Sequence, residues 1–354
     1  TRWIEMPEGM QRGGHLAATR QGRAGQRLLL LGHLDTVFEK DSAVAAWDRR
    51  GERVRGQGVN DMKGGLVVMV GALRAMQAAG TLKPADITIV LTGDEERVGS
   101  PVEVARKDLF DAASANDLAL EFEGLAQEGG KDMGSIARRS SNTWTVRVTA
   151  KPGHSSGVFS DSAGYGAIYE LARILDRFRT ELREPNATYS VGLVLGGASA
   201  DLNATETGGT ATGKSNIIAA AAFARGDLRT LSNEQTERMT ARMKAIVAES
   251  LPGSRSTFEM TEGYPAMAPT EGSRKLLARL NEVNRDLGLA PMAELDPLKR
   301  GAGDIAFVAP KLDGLIGLGA AGEGSHAPGE TLDVRSLDRQ AKRAALLMSR
   351  LARP

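Results

Sequence analysis

The 354-residue sequence contains no cysteine. That absence excludes disulfides, thiol nucleophiles and thiolate metal sites together. Any bound metal must be held by His, Asp and Glu, and the chain has only four histidines. Neither sign of charge dominates: 45 Lys and Arg stand against 44 Asp and Glu, for a net +1. No basic surface for nucleic acid and no acidic tail follows from that balance. No apolar run approaches the ~18 residues of a membrane span, so no membrane partner is expected. Internal repeats and low-complexity segments are also lacking. The sequence begins at Thr1 without a methionine or a leader. That start leaves the location open between cytoplasmic and, if a leader was removed before Thr1, periplasmic. What the chain does have is length for two domains and 42 glycines, which suit many tight turns.

The pattern centres on Ile87-Thr88-Ile89-Val90-Leu91, which reads as a buried strand ending in Asp94-Glu95-Glu96. Three adjacent acids repel one another, and a nearby cation would make the arrangement favourable. Arg27–Gly32 reads as a second buried strand, feeding into His33-Leu34-Asp35. A short strand pair is expected around Arg49–Gly58. Asp61-Met62-Lys63-Gly64-Gly65 opens a helix whose apolar positions are Leu66, Val67, Val70, Leu73 and Met76. A helix over Val102–Phe110 and strands over Leu118–Phe122 and Leu312–Leu318 follow. Alternation of strands with helices predicts an α/β fold with a mostly parallel mixed sheet covered on both faces.

Near Ser140 the pattern changes. Thr143–Ala150 alternates polar with apolar residues, as a sheet with one solvated face should. A helix over Ala163–Arg179, strands over Tyr189–Leu195 and Asn216–Arg225, a helix over Asn233–Glu249 and a strand over Arg255–Met260 complete a βαββαβ order. The expected organisation is a discontinuous catalytic domain, 1–139 and 262–354, with an inserted ferredoxin-like domain at 140–261. Helices over Ser273–Leu287 and Ser336–Leu351 finish the first domain.

His33 and Asp35 lie two apart at a strand exit and project to one side. Either could bind a metal while the other orients it. Asp61 precedes a helix, where an N-cap is the ordinary reading. Glu121 and Glu123 share a face after Leu118, so they compete for one role. His326 sits in a glycine-rich loop. Together with Glu95 and Glu96 these side chains fit a two-metal hydrolase with oxygen and nitrogen ligands. One of the adjacent glutamates binds metal, and the other moves a proton from water to the leaving nitrogen.

Four segments occur in order: Gly32-His33-Leu34-Asp35-Thr36-Val37, Gly58–Gly65, Thr92-Gly93-Asp94-Glu95-Glu96 and Phe122-Glu123-Gly124. Over nearly the whole chain they resemble the zinc aminoacylase and glutamate carboxypeptidase family. That family also includes acetylornithine deacetylase and succinyl-diaminopimelate desuccinylase. The resemblance implies two Zn²⁺, with Co²⁺ or Mn²⁺ as alternatives. Metal ligands would be His33 with Glu123, Glu96 with His326, and Asp61 bridging. It implies Glu95 as general base and Asp35 as the orienting carboxylate. On the inserted domain it implies His154 for the oxyanion, acting on the partner subunit's site. Asn216 and Arg229 would bind substrate, and Gly303 in the loop Gly301–Asp304 joins that set. The inserted domain would be a lid that forms a homodimer. The implied substrate is a small peptide or N-acyl amino acid, cut as by a carboxypeptidase, with deacylase and dipeptidase as alternatives. One departure stands out. Glutamate-specific members carry an Arg-Pro just after the lid, where Tyr264-Pro265 stands here. Glutamate specificity is therefore not implied, and Arg300 is either a replacement cation or a surface arginine.

Other readings compete. Gly208-Gly209-Thr210-Ala211-Thr212-Gly213-Lys214-Ser215 satisfies a phosphate-loop pattern, but no apolar strand precedes it. Gly153-His154-Ser155-Ser156-Gly157 satisfies a nucleophile-elbow pattern, with Asp304 and His326 in the right order for a serine hydrolase using Ser155. That reading leaves Asp61 and the acidic cluster unused. A catalytically dead binding module on the same fold is the third class.

Overall fold

A computed structural model describes residues 1–42 and 47–353. The chain divides into two compact units, one of Thr1–Arg138 with Met267–Pro354, the other of Arg139–Ala266.

The first unit is built on a six-stranded sheet. Its order is Arg2–Ile4, His15–Arg20, Ala85–Thr92, Ala24–His33, Leu118–Glu121, Asp313–Ile316. The last four run parallel to one another, and the first two add antiparallel strands at one edge. The sheet is thus mixed but mostly parallel. Leu28, Leu29, Leu30 and Leu31 are wholly buried, as a strand covered on both faces requires.

The Gly64–Ala78 helix joins the first two parallel strands and packs against the C-terminal helix Val334–Leu351. It buries Val68, Met69, Ala72 and Met76, whereas Val67 and Val70 face outward. The expected stripe was therefore rotated. The helix is apolar nearly all round, so periodicity alone does not choose a face. Backbone approach chooses it: a Cβ at Gly65 would lie 1.8 Å from the carbonyl oxygen of Phe122. Only glycine fits there.

The expected helix over Val102–Phe110 is broken, running Val102–Ala105 and Lys107–Ala115. Between the two pieces lies Arg106, wholly buried.

The second unit has a four-stranded antiparallel sheet in the order Thr188–Gly197, Ala221–Arg229, Ser141–Ala150, Ser254–Tyr264. Helices Ala167–Glu181 and Asn233–Ala248 supply the rest of a ferredoxin-like βαββαβ arrangement. Its core includes Trp144, Val146, Val148, Ile174, Phe178, Met239 and Met243. The first helix begins four residues later than expected, after Gly166 at φ +81°. The segment expected as one strand from Asn216 is split. Ile217–Ile218 pairs with Gly153–His154, and the sheet strand begins at Ala221. Gly209–Thr212 is a strand of a hairpin with Ser199–Leu202. A phosphate loop needs a helix after it, so this geometry removes the nucleotide reading.

Among the described residues no helix is long and apolar enough to cross a membrane.

Candidate metal centre

Three parallel strands deliver the acids and a histidine at their carboxyl ends, where open α/β sheets place their sites. His33 ends one strand, Asp94-Glu95-Glu96 follow a second, and Glu123 follows a third. Asp61 comes from the helical turn Val59–Lys63, in which its own φ/ψ leave the helical region. His326 is held at φ +66° in the loop after the fourth strand.

The two oxygens of Asp61 divide between two sets. Oδ1 lies 3.0 Å from His33 Nε2, which is itself 3.5 Å from Glu123 Oε1. Oδ2 lies 3.1 Å from His326 Nε2, which is 3.3 Å from Glu96 Oε2. Ligand atoms of His33, Asp61 and Glu96 all fall within 4.8 Å of one another. Two atoms bound at about 2.1 Å to a tetrahedral ion lie about 3.4 Å apart. The donor set and its spacing therefore fit divalent cations. The electrostatics agree. Burial works against a charged His33, yet hydrogen bonds to Asp35, Asp61 and Glu123 outweigh it and raise its pKa well above the ordinary value. Hydrogen bonds to Asp61 and Glu96 lift His326 to about 10. In both cases a bound proton supplies the positive charge that the surrounding carboxylates favour.

Glu123, not Glu121, faces His33. Glu121 is buried and committed elsewhere, accepting from Arg138 Nη2 at 2.9 Å and from the Ile305 N–H at 2.8 Å. Glu95 lines the same cavity as Asp61, Glu123 and His326. Burial pushes its carboxyl well above the ordinary range, with Asp304 and Glu123 adding and His33 opposing. A carboxyl so raised is suited to accept a proton near neutral pH.

The contacts of Asp35 reach beyond the His33 ring. Its Oδ1 is 3.4 Å from His33 Nδ1, but that nitrogen is closer, at 3.1 Å, to the Asp35 carbonyl oxygen. The carboxylate accepts the Glu95 N–H at 3.1 Å and the Glu96 N–H at 2.9 Å. It thus ties the His33 strand exit to the loop carrying both glutamates.

Two supports escaped the sequence reading. Glu330 is buried and accepts three main-chain N–H groups, from Gly58 at 2.7 Å and from Asn60 and Asp61 at 2.8 Å. It fixes the turn that carries Asp61. Arg106 donates to Asp94 Oδ1 at 2.5 Å and to Asp304 Oδ1 at 2.9 Å, and Thr92 donates to Asp304 Oδ2 at 2.5 Å. Asp304 is thereby used up in a buried network. Gly303 is packed against Arg138, whose Cζ would sit 2.4 Å from a Cβ there.

Within the inserted unit, the Gly153–His154 and Ile217–Ile218 pair brings His154 beside Asn216, whose carbonyl accepts the Ser155 N–H at 3.0 Å. Both side chains are exposed. His154 Nδ1 is 2.9 Å from Ser156 Oγ, not Ser155. With Asp304 locked to Arg106 and His326 to Asp61 and Glu96, the serine-hydrolase reading has no triad. Arg229 ends its strand with Nε 3.1 Å from Asp227 Oδ2.

The chain has relatives of known sequence and structure. Carboxypeptidase G2 of Pseudomonas sp. (strain RS-16) is 27% identical over 348 residues, covering 96% of this chain and 77% of that protein. The fold is similar to that of a tripeptidase, SAV1512, from Staphylococcus aureus, with a TM-score of 0.73, 18% identity and coverage of 99% and 88%. It is also similar to the Bacillus subtilis YXEP protein, described as a dinuclear metal binding peptidase, at TM-score 0.62, 16% identity and coverage of 99% and 88%. The model of one family matches residues 29–350, and the chain belongs to it: peptidase family M20/M25/M40, a family of metal-dependent hydrolases.

Proposed function

We propose that this chain is a two-metal amide hydrolase that releases a C-terminal amino acid from a small peptide or N-acyl amino acid. The observation that carries the reading is the split of the Asp61 carboxylate between His33 with Glu123 and His326 with Glu96. Those five side chains would hold two Zn²⁺, or Co²⁺ or Mn²⁺. Once bound, such ions polarise a carbonyl and acidify water. Glu95 takes the proton from the attacking water and delivers it to the leaving nitrogen. Asp35 keeps the Glu95 and Glu96 amides in place while it does so.

The inserted unit is assigned substrate duties by family likeness. Arg229 would bind the substrate carboxylate, Asn216 would position the substrate, and His154 would stabilise the oxyanion from the partner of a homodimer. The deciding experiment is a screen of dipeptides and N-acyl amino acids with purified protein, with and without added Zn²⁺, alongside Glu95→Gln. Metal-dependent turnover that disappears in Glu95→Gln, with metal content retained, supports the reading. No turnover on any amide, or full activity in that variant, refutes it.

A further inference from the structure

Beside the metal centre, within the first unit, lies a cavity of about 470 Å³, a size suited to a small ligand. Its walls hold Asp61, Glu95, Glu123 and His326, together with three cations: Arg138, Lys299 and Arg300. Two of the cations are already neutralised. Arg138 Nη2 meets Glu121 Oε2 at 2.9 Å, and Lys299 Nζ meets Glu128 Oε1 at 2.8 Å. Arg300 has no such partner among the described residues. Its Nη2 donates to the Gly124 carbonyl, its Nε is buried without an acceptor, and Nη1 makes no hydrogen bond among the described residues. Burial and then the nearby charge of Arg138 lower its pKa from the ordinary value, with Glu123, Glu121 and Asp61 opposing from a distance. A half-buried guanidinium with no ion-pair partner is poorly compensated, and its planar donor set matches a carboxylate.

Resting on the hydrolase reading, we propose that Arg300 is a specificity residue that receives a carboxylate of the substrate inside this cavity, distinct from the carboxylate assigned to Arg229. The preferred substrates are then dianionic. The second carboxylate belongs either to the side chain of the released amino acid or to the far end of the acyl group.

The test uses the metal-loaded full chain and two matched pairs. N-acetylglutamate against N-acetylglutamine probes the amino-acid side. N-succinyl-alanine against N-succinamoyl-alanine probes the acyl side. In the wild type the acidic member of one pair is expected to be preferred in kcat/KM by about 10- to 100-fold, the worth of a hydrogen-bonded charge. Arg300→Met should collapse that ratio towards unity, and Arg300→Lys should restore part of it. A wild type with no preference in either pair, or a ratio unmoved by Arg300→Met, overturns the proposal while leaving the hydrolase reading intact. Glutarate and butyrate binding by calorimetry gives a readout without turnover. If no amide is cleaved, the hydrolase reading falls. Arg300 is then judged by whether its replacement removes the preference for glutarate.

Discussion

Replacement of Glu330 by Gln is the sharpest test of how the centre is supported. The carboxylate accepts the Gly58 N–H on Oε2, and the Asn60 and Asp61 N–H groups on Oε1. A glutamine keeps the shape but turns one oxygen into a donor. In its better orientation it still serves Asn60 and Asp61 and turns its NH₂ against the Gly58 N–H. One buried donor is then orphaned, at about 1–3 kcal/mol. The two surviving bonds lose their charge assistance, which roughly halves them. Against this, burial already pushes the Glu330 carboxyl above its ordinary pKa, so removing the charge recovers part of a desolvation cost. The net loss should be about 1–3 kcal/mol. Because the Asp61 amide is among the three, metal affinity should also fall, by about 10- to 100-fold, as for other groups that hold ligands in place. Denaturant unfolding of the metal-free protein and a zinc competition titration against a chelating dye read the two effects separately. An unchanged unfolding midpoint together with unchanged zinc affinity would refute the reasoning.

Other outcomes follow from the same geometry. Glu95→Gln should lower turnover by about 100-fold or more with metal content retained, checked by elemental analysis beside the assay. Arg106→Met leaves Asp304 buried without its cation and Asp94 with only His15 beside it, and should cost about 3–5 kcal/mol in unfolding free energy. Trp144→Ala empties the core of the inserted unit beside Phe178, at about 3–5 kcal/mol, seen as a lower melting temperature. Ser155→Ala should leave turnover within about twofold, since no base is aimed at that hydroxyl; a loss of 100-fold or more would revive the serine mechanism.

Much of the fold was legible because strands and helices announce themselves over short spans. The leucine run into His33 and the alternation through Val146 and Val148 are local signals. The edge strand Arg2–Ile4 and its neighbour His15–Arg20 were not read, since neither carries a continuous run of large apolar residues. The helix face around Val67 and Val70 was misplaced because Gly65 presses on a loop over fifty residues away in sequence. The candidate site shows the same divide. His33, Asp61 and the Glu95-Glu96 pair stand at strand or helix ends, where sequence can point to them. Glu330 and Arg106 carry no local mark. Glu330 lies about 270 residues from the amides it binds, and one partner of Arg106 lies 198 residues away. Glu121 and Glu123 share a face by periodicity, and their roles are separated by remote partners, Arg138 and the Ile305 N–H on Glu121 and His33 beside Glu123.

The point at which the first unit is interrupted has an engineering consequence. Arg138 and Met267, the last and first residues flanking the insertion, exchange both main-chain hydrogen bonds, at 3.0 and 2.9 Å. Residues paired so closely stand only about 5–6 Å apart at their Cα atoms. A two-residue turn could bridge them. Evolution could therefore swap, enlarge or retune the intervening segment as a cassette without re-registering the parallel strands of the first unit, and a protein engineer could graft a foreign module at the same point.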